Sequence, residues 1–231
     1  MKLKKIASLM LAGVMAVSML AGCNTASNGG NNGGEGEGEG TTTTGYSVAF
    51  GDKVEKLNAT VKGMDNVTFA DNANDQAALE DALNNAGALQ ILAGTVSSTV
   101  SNANWIPNAI KEDFMDAAKL NRYGISDPAN NGDNVFNGTS TINRTTKVGS
   151  VYYVDGTVSM DKVLDQLAEK LDEYFATLQK DSTVNNDKVE TYDFDYTISV
   201  SVVNKTSDVI DWYNGSVNVI AVTVTRTATA D

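Results

Sequence analysis

The sequence predicts an α+β fold, an antiparallel sheet with about three helices packed on it that ends in strand, helix and long β-hairpin. Three observations in the C-terminal half carry this reading. Apolar residues recur at alternating spacings of four and three from Met160 through Leu164, Leu167, Leu171, Tyr174 and Leu178, which is the stripe of an amphipathic helix. Tyr192, Phe194, Tyr196, Ile198, Val200 and Val202 then alternate with Thr191, Asp193, Asp195, Thr197, Ser199 and Ser201, the pattern of a strand with one buried and one wet face. The last apolar segment, Ser216 to Ala228, changes phase. Val217 and Val219 fall on one face, while Ile220, Val222 and Val224 fall on the other. A β-bulge near Val219, or burial of both faces, accounts for that shift.

Upstream, Tyr46 to Ala70 reads as short strands: Tyr46-Val48-Phe50 alternates, Leu57-Ala59-Val61 alternates, and Val67-Thr68-Phe69 follows a break at Gly63. A helix is expected from about Asp75 to Ala86, with Leu79, Ala82, Leu83 and Ala86 on one face. Asn72 or Asn74 would cap it and Gly87 would end it. Leu89 to Leu92 and Thr95 to Val100 read as strands around Gly94. The next helix spans about Pro107 to Arg122, with Pro107 suited to its first turn and Ile106, Ile110, Phe114 and Ala117 as its stripe. Residues 124–146 are rich in Asn, Gly and Asp and read as loop. Lys147 to Val154, apolar on both faces at its end, reads as a central strand. Ser159 is placed to cap the following helix, with Asp161 in its first turn.

The N-terminus has a different character. Lys2, Lys4 and Lys5 precede an apolar run from Ile6 to Leu20, and Leu20-Ala21-Gly22-Cys23 closes it. That is the layout of a secretory signal peptide, and its end resembles the lipobox of bacterial lipoproteins. The resemblance implies that residues 1–22 are removed and that Cys23, the chain's single cysteine, carries the lipid. It implies a bacterial cell membrane location, lipid-anchored on the extracytoplasmic side. Residues 24–45 (NTASNGGNNGGEGEGEGTTTTG) contain no large apolar side chain and read as a flexible tether, about 25 Å in root-mean-square span. Residues 23–45 are thus lipidated cysteine and linker, and 46–231 a single globular extracytoplasmic domain.

Composition narrows the chemistry. The chain of 231 residues carries a net charge of −12, and loss of Lys2, Lys4 and Lys5 makes the mature protein more acidic still. Such a surface repels phosphate backbones, so nucleic acid is not an expected partner. There is no histidine. This removes His-based triads and His-ligated metals, and a lipidated Cys23 leaves no thiol for a disulfide or zinc. Catalysis would have to use carboxylates, tyrosine or a Ser-Lys pair.

Ser159-Met160-Asp161-Lys162 fits the S-x-x-K pattern, but no Lys-Thr-Gly element accompanies it, and a helix cap explains the serine equally well. Asp193 and Asp195 stand about 7 Å apart along one strand face, a spacing open to glycan hydrolysis. Asp127, Asn131 and Asp133 resemble part of a calcium loop, but Ala129 and Gly138 occupy positions that need oxygen ligands, so no cofactor is expected apart from this weak calcium candidate. The connection from Asn204 to Asn214 carries Val209, Ile210, Trp212 and Tyr213, where hairpin loops are usually short and polar. Trp212 and Tyr213, with Trp105, are the candidate ligand-binding residues, for a glycan or an envelope or surface protein. The expected function is a membrane-anchored binding domain without enzymatic activity. The alternatives are a carboxylate-dependent glycan hydrolase and the solute-binding component of a transporter.

Overall fold

The computed structural model describes residues 45–85, 96–102, 108–123, 125, 144–185, 189–206 and 216–231. All of them lie in one compact unit, Thr42–Asp231. The elements are α1 (Tyr46–Leu57), α2 (Ala59–Lys62), β1 (Val67–Phe69), α3 (Ala73–Asn85), β2 (Ser101–Asn102), α4 (Asn108–Ala117), β3 (Arg122–Tyr123), β4 (Thr146–Asp155), α5 (Met160–Phe175), β5 (Asp181–Asn185), β6 (Val189–Thr206) and β7 (Ser216–Ala230). The fold is α+β, as the sequence predicts, with five helices among the described residues where about three are expected.

Seven strands form one sheet with the order β1-β6-β7-β4-β2, β3 also pairing with β4 and β5 with β6. The long pairs are antiparallel. The short contacts of β1 with β6 and of β3 with β4 are parallel, so the sheet is mixed rather than purely antiparallel. The β6–β7 hairpin pairs without interruption from Tyr192↔Ala230 to Thr206↔Ser216, which excludes a bulge near Val219. The phase change in β7 therefore reports burial on both faces. Ile220, Val222 and Val224 enter one core with Val148, Tyr152, Phe194, Ile198 and the apolar face of α5. Val217, Val219 and Ala221 enter a second core with Leu79, Leu83, Ile110, Phe114 and Val151. The sheet thus lies between two helical layers, α1 and α5 on one side and α3 and α4 on the other.

That sandwich corrects the reading of β6. Asp193, Asp195 and Thr197 are exposed, but Ser199 and Ser201 on the same face are each 2% exposed. The polar face is wet at one end and roofed by α3 at the other, and a small hydroxyl is compatible with either setting.

Tyr46 to Leu57 and Ala59 to Lys62 are helical, not extended. Ser47, Phe50, Gly51 and Val54 are the buried positions of α1, one helical face, whereas Tyr46 and Val48 remain exposed. The apparent alternation was a coincidence of two outward residues with one inward. Phe50 meets Phe69 of β1 at 5.9 Å between ring centroids and Phe175 of α5 at 6.0 Å, and Phe69 meets Phe175 at 6.4 Å. Such packing of edges against faces adds to the burial of three large side chains. Gly51 permits it, because a Cβ there would stand 2.6 Å from Phe69 Cγ. Asn58 caps α2 through hydrogen bonds of 3.1 Å from the Thr60 and Val61 amides, and donates 2.8 Å to the Asp172 carboxylate on α5. Lys53 ties α1 to the same helix, 2.6 Å from Asp161 and 2.9 Å from Asp165.

Elsewhere the boundaries shift. Asn72 caps α3 as expected, its Oδ1 accepting from the Asn74 and Asp75 amides. Residues 96–100 are irregular and the short strand falls at Ser101–Asn102, where pairing with Tyr153 and Tyr152 is available. Helix α4 ends at Ala117 rather than near Arg122, and Ala118 rather than Ala117 is buried. Leu120 donates to the Met115 carbonyl at 2.8 Å and Lys119 adopts φ 56°, a left-handed stop that returns buried Leu120 to the core. Ser159 sits at the N-cap of α5, but its side chain makes no capping bond. The entry is set instead by Asp155, which accepts from the Thr157 amide at 2.8 Å. The Thr157 hydroxyl, which donates to the same oxygen, and then the amide hold the Asp155 carboxyl below its ordinary pKa.

Phe50 tests the corrected N-terminus. Phe50→Ala should lower stability by about 3–5 kcal/mol, as expected for a fully buried aromatic, read as the loss in denaturant unfolding free energy. A loss typical of an exposed residue would mean that α1 is not part of the core.

Candidate functional site

The two helical layers each bury one polar cluster against the sheet. On the α3 side the cluster is built around Asp75, in the first turn of α3 and 0% exposed. Its Oδ2 accepts 2.6 Å from Thr223 and 3.1 Å from Ser199, and its Oδ1 accepts from Lys147 Nζ. Lys147 also donates 3.0 Å to the Ala118 carbonyl at the end of α4. Gly149, Thr223 and Ser199 stand side by side across β4, β7 and β6. Gly149 leaves space because a Cβ there would lie 2.9 Å from Leu120 Cδ1 and 3.1 Å from the Val222 carbonyl.

These are the residue types that remain for catalysis without histidine, but their arrangement is not that of an active nucleophile. Both hydroxyls point at the carboxylate, Lys147 binds the carboxylate's other oxygen, and Ser199 and Thr223 are each 2% exposed. A general base must reach the nucleophile and the nucleophile must reach substrate. The carboxylate reaches both hydroxyls, but neither hydroxyl reaches the surface, and the cluster ties α3, α4 and three strands together.

Above it lies a cleft of about 450 Å³ between the first turns of α3 and the last turn of α4. Alanines at 77, 78, 117 and 118 leave it open, and Asn72, Asn74, Asp81, Lys119 and the stem of Lys147 supply polar groups. Lys119 holds the left-handed position where glycine is the usual residue, and its side chain stands at the cleft. Small alanines ringed by amide, carboxylate and ammonium groups suit reversible binding of a small polar molecule.

On the α5 side, Arg226 is 0% exposed and continues the inward row Ile220, Val222, Val224. Its guanidinium carbon lies 4.3 Å from the centroid of the Phe194 ring, a cation–π contact. Burial pulls its pKa below the ordinary arginine value, with Tyr196 and Tyr174 acting in the opposite sense. Burial drives the Tyr174 hydroxyl well above its ordinary value, reinforced by Tyr196 and Tyr152 and opposed by Arg226. Tyr196 is raised by burial as well, against the Gln179 amide that donates to its oxygen and against Arg226.

Of the residues singled out in the sequence, Cys23, Trp105, Asp127, Asn131, Asp133, Trp212 and Tyr213 lie outside the described residues. Ser159 and Lys162 are both exposed. Asp193 and Asp195 are exposed on open strand, with Asp181 of β5 directly opposite Asp193. Among the described residues no group of three or more His, Cys, Asp or Glu side chains is arranged to hold a metal ion, and no helix is long and apolar enough to cross a membrane. Sequence reasoning missed Asp75, Lys147, Ser199, Thr223 and Arg226. Only Arg226 left a legible signal, a charged residue in phase with an apolar row.

No protein family, curated protein or solved structure matches this chain.

Removing the buried carboxylate leaves Lys147 without its counter-charge, so Asp75→Ala should cost about 3–5 kcal/mol in chemical denaturation. Asp75→Ala/Lys147→Met should recover part of that loss; no recovery would mean that the pair is not the tie. The tyrosines set an alkaline limit. The native state holds the protons of Tyr174 and Tyr196 above pH values at which the unfolded chain releases them. Stability should therefore fall as pH rises past about 10. Lys53 acts in the same direction: its pKa is raised by Asp161 and Asp165, so its contribution is complete below the ordinary lysine value and lost above it. Thermal melts at pH 8 and 10.5, with tyrosinate absorbance recorded, measure the effect.

Proposed function

We propose that this chain is a bacterial lipoprotein, held on the extracytoplasmic side of the membrane by a lipid on Cys23, whose domain acts by binding. The single observation that carries the reading is the position of the only cysteine, directly after Leu20-Ala21-Gly22 and an apolar run with a basic start. The glycine- and glutamate-rich segment after it fits a tether that holds the folded unit clear of the bilayer.

Two features support binding over catalysis. The hydroxyls, lysine and carboxylate that the fold brings together are committed to one another beneath α3. The accessible feature beside them is a cleft lined by alanines and by side chains that form reversible polar contacts. The ligand class is a polar one, a glycan or a surface group of an envelope protein, with Trp212 and Tyr213 as a second candidate surface.

Fractionation tests the anchor: the parent should sediment with membranes, and Cys23→Ala should release it. Retention of Cys23→Ala would mean that something other than this lipid holds the protein. For the ligand, a glycan panel and envelope extracts are probed with the parent, with Lys119→Ala/Asp81→Ala and with Trp212→Ala/Tyr213→Ala, each checked for folding. Tenfold or greater loss in one variant assigns the surface; absence of any ligand for the parent would count against a binding role.

A further inference from the structure

The outer edge of β6 is closed by a succession of different partners. Alternate residues of an antiparallel strand direct both backbone groups to the same edge, and here these are the even-numbered ones. Phe194 donates to the Lys180 carbonyl at 2.9 Å and its own carbonyl accepts 2.6 Å from Asn66 Nδ2. Tyr196 donates to the Asn66 carbonyl at 2.8 Å, and the Ile198 carbonyl accepts 3.0 Å from the Ala70 amide. At that point β1 ends, yet β6 continues to Thr206. The next two positions are met by side chains. The Val200 amide donates 2.9 Å to Ser47 Oγ from the first turn of α1. Val202 is matched on both groups by Gln76 of α3: its amide donates 3.0 Å to Oε1 and its carbonyl accepts 3.0 Å from Nε2. One primary amide therefore reproduces the pair of bonds that a neighbouring strand would make.

The segment so covered is Ile198-Ser199-Val200-Ser201-Val202-Val203, four of its six residues β-branched and none charged, proline or glycine. Exposed at an edge, such a run is a template for strand addition. Native sheets commonly blunt an edge with an inward charge or a proline; this one uses a removable side-chain plug. We propose that the β6 edge around Val202 is a strand-addition site held shut by Gln76, with Ser47 beside it, and that its occupant when open is the same edge of a second copy. Antiparallel pairing of identical segments is self-complementary about a two-fold axis. An axis at Val202 sets Val200 opposite Asn204, so that every outward group meets a backbone partner. The segment carries no acid, so the chain's net negative charge of −12 places no like-charge pair across this contact.

The test uses the full chain in detergent, by analytical ultracentrifugation with hydrogen exchange read at Val202. Gln76 lies at the partly exposed start of α3, so Gln76→Ala should fold, as circular dichroism will check. Gln76→Ala should dimerise with a dissociation constant at least tenfold below that of the parent. Its Val202 amide should be slow to exchange in the dimer and fast on dilution to monomer. The proposal is overturned if Gln76→Ala matches the parent's dissociation constant or if its dimer leaves the Val202 amide fast.

Discussion

Strand β7 is hydrogen-bonded to β6 on one edge and to β4 on the other, and its side chains are buried on both faces from Val217 to Val224. A strand in that position can carry no polar side chain without a partner, because each would lose water on folding and gain nothing in return. The rest of the architecture follows from this constraint. Two helical layers are needed to cover it, one of α1 and α5 and the other of α3 and α4. Of its three buried polar side chains, Asn218 accepts 2.7 Å from Asn204 of β6, and Thr223 and Arg226 are each met by a cluster on the face they enter.

Those two clusters solve the same problem with different chemistry. Thr223 shares a carboxylate with Ser199, and the negative charge of Asp75 is matched by Lys147 reaching from β4. Arg226 is placed against the face of Phe194 and among tyrosines whose neutral form the interior favours. The first cluster ties a helix start, a helix end and three strands at one point, and the cleft opens directly beside it.

The edge of the sheet shows a related economy. Asn66, Ser47 and Gln76 each complete backbone hydrogen bonds of β6 that short β1 does not reach. Helices on opposite faces of the sheet thus meet around one strand. None of this is written in hydrophobic periodicity, since a glutamine in the first turn of a helix looks like any solvated residue. Pattern reading of the N-terminal segment failed for a similar reason: Tyr46, Val48 and Phe50 alternate, but only Phe50 is buried, and the helical spacing to Val54 carries the packing.

By itself the sequence determined the α+β class, helix α5 and the long strands β4, β6 and β7, because periods of 3.6 and 2 are local and leave a direct trace; it narrowed the α3 cap to Asn72 or Asn74 and the β7 phase shift to a bulge or two-sided burial. The proposed export signal and lipid on Cys23 rest on a linear motif alone. Only the tertiary structure decided that α1 is a helix, that Ser199 and Ser201 are roofed, and that Asp75, Lys147, Ser199 and Thr223 meet. Those outcomes depend on contacts between residues far apart in the chain: Asp75 lies 72 residues from Lys147 and 148 from Thr223. A polar side chain has the same local pattern whether water or a distant partner will satisfy it, and only folding distinguishes the two.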